Sequence, residues 1–152
     1  MKRVLALIVV AGLGYGAWSW WSSDEMERGE DPALIRQYLW ADKDLEQMPP
    51  TEFAHLFALA EDDRQRPVGG VLKASHFDFH LRLFQYKIDG NRVKLRYPQD
   101  GKDAEFRFRI SRCGKTMCLE MRNSPWGPKR FIAVGELEGR GLDALDVRFL
   151  PR

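Results

Sequence analysis

The hydrophobic period of this chain changes near Val71, and that change constrains the fold more than any other feature of the sequence. Before Val71, apolar residues recur every three to four positions, as on one face of a helix. After it they alternate with polar residues, as on one face of a strand. Turn residues such as Asp89-Gly90-Asn91 divide the alternating part. We predict an antiparallel meander with a long first strand that ends at Ile88, strands over 93–97, 106–110, 118–123 and 130–136, and at most a sixth over 145–150.

The long first strand has an irregular pattern. Its apolar residues occupy odd positions from Phe77 to Leu83 and even positions from Phe84 to Ile88. Successive side chains of a strand point to opposite faces, so the two sets can share a face only if one extra residue is inserted between them. A β-bulge supplies such a residue. We therefore predict a bulge at Leu83-Phe84.

Two segments before Val71 have helical periodicity. Asp31-Pro32 supplies an N-cap oxygen followed by proline at the first helical position, and the apolar stripe that follows predicts a helix to about Trp40. A second helix is predicted after Pro49-Pro50, with Thr51 as its cap. Its apolar positions recur at helical spacing, and Pro67 and Gly69-Gly70 end it. These positions are Phe53, Leu56, Phe57 and Ala60.

These elements together predict an α+β fold. In this fold the two short amphipathic helices pack on a meander of five or six antiparallel strands. A small β-barrel with the helices over one end is the alternative. The chain has 152 residues, of which 44% are hydrophobic and 30% charged. That length allows one folded domain with a sizeable core and excludes a large multidomain enzyme.

The N-terminal segment predicts a membrane anchor. Lys2 and Arg3 precede an uncharged run, and residues 4–21 are apolar or small except for Ser19. As a helix these 18 residues extend about 27 Å, close to the roughly 30 Å of a bilayer's hydrocarbon core. We predict a signal anchor over 1–23 in a bacterial inner membrane, with the N-terminus cytoplasmic. An acidic linker over 24–31 and a periplasmic domain over 32–152 follow.

A cleaved signal peptide is the alternative for this segment. Small residues between Gly14 and Ser19 could precede a cleavage site, although they do not match the A-x-A pattern. The aromatic rings of Trp18, Trp20 and Trp21 favour a membrane interface instead. The anchor is therefore the first prediction, and a protein released into the periplasm is the second.

Opposite charges are separated along the chain. Residues 24–66 contain 12 acidic and 5 basic residues, whereas residues 67–152 contain 10 acidic and 17 basic residues. Basic residues alternate with apolar ones in two predicted strands, which places Lys94, Arg96, Arg107 and Arg109 on one face. A face of one charge sign attracts anionic partners. The near-zero net charge of residues 24–152 and the predicted export disfavour nucleic acid as that partner.

Two cysteines and a tryptophan loop add to this region. Cys113 and Cys118 bracket four residues, and in a hairpin they would face each other as the first cross-strand pair. An envelope compartment is oxidising, so we predict a disulfide between them. Trp126 lies in the loop Ser-Pro-Trp-Gly-Pro, where it could anchor a partner or cover the core.

The sequence contains one cluster of potential catalytic or metal-binding residues, His76, Asp78 and His80. In a strand the two histidine Cα atoms are roughly 13 Å apart, too far to share one ion easily. Basic neighbours also repel cations. The sequence therefore predicts no metal and no cofactor, and these three residues are weak candidates for acid/base catalysis.

Two functions follow from these observations. The first is a membrane-anchored periplasmic interaction module, for example an immunity or secretion-system accessory protein. Its basic sheet face, with Lys94, Arg96, Arg107, Arg109 and Trp126, would hold an acidic protein or an anionic envelope surface. Residues 4–21 would anchor the module in the inner membrane. The alternative is a hydrolase of an envelope polymer that uses His76, Asp78 or His80. The sequence lacks the common hydrolase, phosphate-loop and dinucleotide motifs, so an interaction module is the first prediction.

Overall fold

A computed structural model describes residues 29–138 and 141–145. In it, eight antiparallel strands close into a barrel in which each strand pairs with the next and β8 pairs with β1. Two short 3-10 helices, η1 (Pro32–Arg36) and η2 (Gly141–Leu145), lie outside the sheet order. The strands are β1 (Tyr38–Ala41), β2 (Ala54–Glu61), β3 (Pro67–Ala74), β4 (Phe79–Asp89), β5 (Arg92–Arg96), β6 (Asp103–Cys113), β7 (Thr116–Arg122) and β8 (Arg130–Glu136).

Aromatic side chains fill the interior of the barrel. The largest fully buried residues are one tryptophan and five phenylalanines contributed by five different strands, and Ile35 of η1 packs with them. The Trp40 indole nitrogen donates a hydrogen bond to the Ile35 carbonyl at 2.9 Å, which ties η1 to the wall. Rings and branched side chains of this kind make the interior a packed core. The six aromatic residues are Trp40, Phe57, Phe84, Phe106, Phe108 and Phe131.

The two ends of the barrel differ. Loops 42–53, 75–78, 97–102 and 123–129 lie at one end, which we call the loop end. Short turns at 62–66, 90–91 and 114–115 lie at the other, which we call the turn end. Near the turn end, the Tyr86 hydroxyl donates a hydrogen bond to the Ala60 carbonyl at 3.0 Å. Burial raises the pKa of Tyr86, so this phenol stays protonated and keeps its donor role at neutral pH.

The predicted α+β fold is wrong, because the two predicted helices are mostly strand. The first is reduced to the five residues of η1, and β1 begins at Tyr38. The second is β2. Both faces of β2 are buried, since Phe57 and Leu59 face the interior while Leu56 and Ala58 face an outer cluster. A continuous apolar run of this kind also fits helical spacing by chance. The alternative barrel was nearer the observed architecture, but of the two predicted helices only the short 3-10 helix η1 is present in the described residues.

The break predicted at Pro67 and Gly69-Gly70 is strand β3. Pro67 begins the strand, a position where a missing backbone donor is tolerated. Gly69 lies beneath the ring of Phe84, whose atoms occupy the space a side chain would need. Gly70 lies against Leu145 of η2 on the outer side. Here glycine permits close packing on both sides of a regular strand.

The predicted bulge at Leu83-Phe84 is also absent. β4 pairs with β3 in continuous register from Val68 opposite Gln85 to Ala74 opposite Phe79. The odd-numbered apolar residues of β4 therefore point outward, while Phe84 and the even-numbered residues after it point inward. The outward residues Phe79, Leu81 and Leu83 are exposed, and we call them the apolar stripe.

A second apolar cluster lies outside the barrel. Leu45 and Met48 of the loop after β1 and Leu145 of η2 belong to this cluster, together with the outer residues of β2 and β3. The apolar stripe of β4 continues the same outer surface, because Leu81 lies opposite Leu72 of β3. Within the described residues, this cover extends over β3 to the edge of the stripe at Leu83 and leaves Phe79 and Leu81 exposed.

Several predictions concern residues outside the described part. The single-pass anchor predicted over residues 1–23 and most of the predicted linker lie there, as do residues 146–150 of the sixth predicted strand. Leu145 itself ends η2. Across residues 29–138 and 141–145, no helix has the length and apolar character needed to cross a membrane. The predicted single-pass helix therefore has no counterpart in the described structure.

Candidate binding face

The four basic residues predicted to bind a partner lie on the outer surface of β5 and β6. Buried residues alternate with them along both strands, so the barrel interior takes the apolar side chains and the solvent takes the charged ones. The alternation predicted from the sequence thus corresponds to the observed outward direction. These residues are Lys94, Arg96, Arg107 and Arg109.

Acidic residues lie among these cations and were missed by the sequence reading. β6 begins at Asp103, three residues before the predicted strand. Its first outward residues are Asp103 and Glu105, which lie opposite Arg96 and Lys94. The Arg96 and Asp103 side chains approach to 4.0 Å. The end of the face near the loop end is therefore largely neutralised.

Arg109 is also paired, and this pair lies toward the turn end. Its guanidinium lies 3.1 Å from a carboxylate oxygen of Glu120 on β7, and Arg130 of β8 approaches the same carboxylate at 3.8 Å. Arg109 is only partly exposed. Of the four predicted cations, Arg107 and Lys94 form no ion pair within the described residues. Lys94 lies opposite Glu105, whose carboxylate contacts Arg92, whereas Arg107 has no acidic residue opposite it in β5 or β7.

The register instead reveals a row of three arginines. Arg92 of β5 lies opposite Arg107 of β6, and Arg107 lies opposite Arg122 of β7. We call these residues the arginine row. Arg92 contacts Glu105 at 3.2 Å, whereas no acidic side chain of the described residues pairs with Arg107 or Arg122, and both are exposed. Like charges directly opposite on neighbouring strands are destabilising, so the row concentrates positive potential.

The outer surface of β4 to β8 has an excess of basic residues. A shallow groove of about 630 Å³ crosses it near the loop end, between Lys87 and Asp103. The basic residues are Lys87, Arg92, Lys94, Arg96, Arg107, Arg109, Arg122 and Arg130, and the acidic ones are Asp89, Asp103, Glu105 and Glu120. The surface therefore carries a net positive charge, and its arginines without an ion pair in the described residues are Arg107 and Arg122 of the arginine row.

Trp126 does not belong to this face. Its ring packs over the loop end of the barrel, with its centroid 5.0 Å from that of Phe57 and 5.7 Å from that of Phe106. Its indole nitrogen donates a hydrogen bond to the Tyr97 hydroxyl at 2.9 Å. Of the two roles considered for Trp126, this position supports a cover over the core.

The predicted disulfide between Cys113 and Cys118 is present. The turn is shorter than predicted, because Gly114 and Lys115 alone form it and Cys113 lies opposite Thr116. The two cysteines are thus diagonal neighbours across the β6–β7 hairpin, with Cα atoms 5.8 Å apart. That distance lies within the range typical of disulfides.

Opening this disulfide is expected to have a modest effect. Replacing Cys113 and Cys118 with serine should lower the free energy of unfolding by about 2 kcal/mol, because the bridge closes a short loop. Urea unfolding of parent and double variant measures the difference. In the parent, thiol reagents should label neither cysteine until a reductant is added. Two reactive thiols in the unreduced protein would contradict the bridge.

The weak catalytic candidates do not form a pocket. His76 and Asp78 lie in the turn before β4, and His80 lies within β4. The Asp78 and His80 side chains are 57% and 67% exposed and approach to 3.2 Å, while the Nδ1 atom of His76 is buried and has no partner among described residues. No group of three or more potential ligands occurs in the described part of the chain. The arrangement gives no support to the hydrolase alternative.

The arginine row is thus the candidate site. The sequence pattern already placed Arg92 on the basic face, next to Lys94. Arg122 could have been found only with the strand register in hand, since it lies at the end of β7. Comparison with family models, curated proteins and solved structures found no match to this chain.

Proposed function

We propose that this protein is a binding module that holds an acidic protein or an anionic surface against the outer face of β5, β6 and β7. The observation that carries this proposal is the arginine row, in which Arg92, Arg107 and Arg122 lie side by side on three adjacent strands. The proposal retains the basic sheet face predicted from the sequence and moves its centre from Lys94 and Arg96 to the row.

The electrostatics of the row favour an anionic ligand. Neighbouring strands are about 4.8 Å apart, so the guanidinium groups of Arg107 and Arg122 can reach one carboxylate or phosphate together. Charge-assisted hydrogen bonds from arginine to such groups are among the strongest in proteins. A bound anion would also remove the repulsion between the two arginines. Both effects favour the bound state.

An open face of this kind suits binding without turnover. The row lies on the outer wall of a closed barrel, whose interior is occupied by aromatic side chains. Exposed arginines attract anions and raise association rates, but they supply no general base. The proposed role is therefore recognition.

The compartment belongs to the same proposal. A disulfide between Cys113 and Cys118 fits an oxidising compartment such as the bacterial periplasm. Proteins kept in the reducing cytosol rarely retain such bridges. We propose that the module acts in the envelope, outside the cytoplasm.

The test compares two variants with equal changes in net charge. The row variant is Arg92→Gln, Arg107→Gln and Arg122→Gln. The control variant replaces three exposed cations in the connections between strands, none of which forms an ion pair among the described residues. Binding is measured on immobilised polyglutamate and on heparin at moderate salt. The control changes are Arg64→Gln, Lys102→Gln and Lys115→Gln.

The row variant should bind at least about tenfold more weakly than the parent, since each cation near an anionic surface contributes about 1 kcal/mol. The control variant should bind within about twofold of the parent, because its cations do not converge. The melting temperature of the row variant should change little, since removing the repulsion between the arginines offsets the loss of the surface ion pair between Arg92 and Glu105. Equal weakening of both variants would contradict a specific face.

A further inference from the structure

The outward side of β4 is divided into two chemically different halves. Its half near the loop end carries the apolar stripe, with Phe79, Leu81 and Leu83 exposed by 57%, 49% and 38%. Its other half carries Lys87, which lies opposite Lys94 of β5. Alternate residues of a strand are about 6.6 Å apart, so Leu83 and Lys87 are separated by roughly 13 Å. One wall of the barrel thus presents apolar and basic surfaces side by side.

A further aromatic side chain extends the apolar half. Phe77 lies in the turn before β4 and is 81% exposed, the largest exposure among the large hydrophobic residues described. The turn is held in shape by the Ser75 hydroxyl, which accepts hydrogen bonds from the backbone amides of Phe77 and Asp78. This turn keeps Phe77 projecting beyond the end of the stripe. Four large apolar side chains in a line are unusual on the surface of a water-exposed domain.

Along this half, β4 has a backbone partner on only one of its two sides within the described residues. β4 pairs with β5 only from Gln85 to Asp89, whereas Phe79 to Phe84 pair only with β3 within the described residues. Among the described residues, the outer cluster formed with η2 covers β2 and β3, reaches Leu83 and leaves Phe79 and Leu81 uncovered. The exposed apolar side chains and an unpaired edge of β4 therefore lie next to each other.

The charge distribution around the stripe indicates which kind of surface would cover it. Moving from the stripe toward the turn end, the outer wall carries Lys87 and Lys94, and then the arginine row. An anionic bilayer offers the complementary arrangement, with negative headgroups above an apolar layer. Aromatic and aliphatic side chains insert at the headgroup boundary, while cations remain with the phosphates.

We propose that this wall docks on an anionic lipid surface, with Phe77 and the apolar stripe inserted and with Lys87, Lys94 and the arginine row on the headgroups. This inference rests on the proposed function and identifies the anionic partner as a lipid surface. The lipid phosphates take the place of the acidic groups considered above, and the stripe gives the contact its apolar component.

The test uses a label that reports only its own surroundings. Full-length protein carries one added cysteine, Phe77→Cys or Leu81→Cys, modified with an environment-sensitive fluorophore while the native disulfide stays closed. Asp63→Cys, in the exposed turn after β2 at the opposite end, is the matched control. Vesicles contain phosphatidylcholine alone or with phosphatidylglycerol at 3:1, each with and without doxyl-labelled lipid as quencher. Contact between the vesicle and any other part of the chain leaves these labels unquenched.

The labels at positions 77 and 81 should shift to shorter wavelength and be quenched by doxyl lipid in the phosphatidylglycerol vesicles. The label at position 63 should be unchanged. Replacing the arginine row with glutamine in the same labelled proteins should reduce the quenching at least about threefold, since it removes attraction to headgroups. Equal quenching at 77, 81 and 63, or none at 77 and 81, would overturn the proposal. A blue shift at 81 without vesicles would overturn it as well, because the stripe would then be covered by protein.

Failure of this inference can be separated from failure of the proposed function. One outcome is that the row binds polyglutamate and heparin while the labels at 77 and 81 show no emission shift and no quenching with vesicles. In that case the partner is a soluble or proteinaceous anion, and the proposed function stands. If the row variant also keeps the parent's affinity for both polymers, neither proposal survives.

Discussion

Replacing Trp126 with alanine should lower the free energy of unfolding by about 3 kcal/mol or more, the range of large aromatic truncations in protein cores. The indole packs against Phe57, Phe84 and Phe106 at the loop end of the barrel. Truncation opens a cavity above these rings and leaves the Tyr97 hydroxyl without its hydrogen-bond donor. Urea denaturation followed by circular dichroism measures the loss.

Trp126→Phe is the matched control. It keeps a ring in the aromatic cluster and removes the indole donor, so the expected loss is about 1 kcal/mol. Both variants should bind polyglutamate as the parent does, because the Trp126 ring packs against the interior aromatics, whereas the arginine row faces outward. A Trp126→Ala protein with parental stability and weakened binding would show that this residue anchors a partner and does not cover the core.

Gly69→Ala should also be strongly destabilising, by about 1–3 kcal/mol or more, as expected for overpacking of a core. The new methyl group would occupy space held by the ring of Phe84, which is itself almost fully buried. The Phe84 ring cannot move away from Gly69, because Tyr97 and Trp126 pack against it. Thermal unfolding of the purified variant measures the effect.

Gly135 of β8 provides the control, since a methyl group there meets no heavy atom within 4 Å. Gly135→Ala should leave the stability unchanged or raise it by up to about 1 kcal/mol through the unfolded state. Combining Gly69→Ala with Phe84→Leu should recover part of the loss, because the smaller side chain makes room. Equal effects at the two glycines would contradict the observed packing of the Phe84 ring over Gly69.

The strands after Asp89 could be predicted because each has one wet and one buried face. In these strands apolar residues that face the interior alternate with charged residues that face solvent. β5 to β8 lie where that alternation predicts strands. The disulfide could be predicted for a related reason, since two cysteines flanking a turn have few other geometries available.

The strands before β4 could not be predicted in the same way. β2 is buried on both sides, so its run from Leu56 to Ala60 carries no alternation. β3 contains two glycines that are required by neighbouring side chains, and those neighbours come from distant parts of the chain. Without the pairing, such a strand resembles a break.

β4 presented a third difficulty. If all large apolar residues of this strand point inward, its odd-numbered and even-numbered apolar residues form one buried face only with a bulge between them, as predicted from the sequence. The continuous register shows that Phe79, Leu81 and Leu83 point outward. A change of phase in an alternating strand thus also indicates an exposed apolar surface, and here it marks the wall that we propose docks on lipid.

The candidate site was predicted only in outline. Outward alternation placed Lys94 and Arg107 on one face, but charge balance depends on which residues lie opposite each other. That register follows from turn lengths, which bring Glu105 to Lys94 and Arg122 to Arg107. The sequence alone therefore could not separate neutralised cations from unpaired ones.

The central claim is that the arginine row binds anions, and a nuclear magnetic resonance titration tests it most directly. Arginine Nε–Hε signals of isotope-labelled protein would be followed as a short polyglutamate is added. The signals of Arg107 and Arg122 should shift most and saturate together, with a smaller change at Arg92, whose side chain already contacts Glu105. The signal of Arg64, in the distant turn after β2, should stay in place. Shifts spread evenly over all arginines, or largest at Arg64, would contradict the claim.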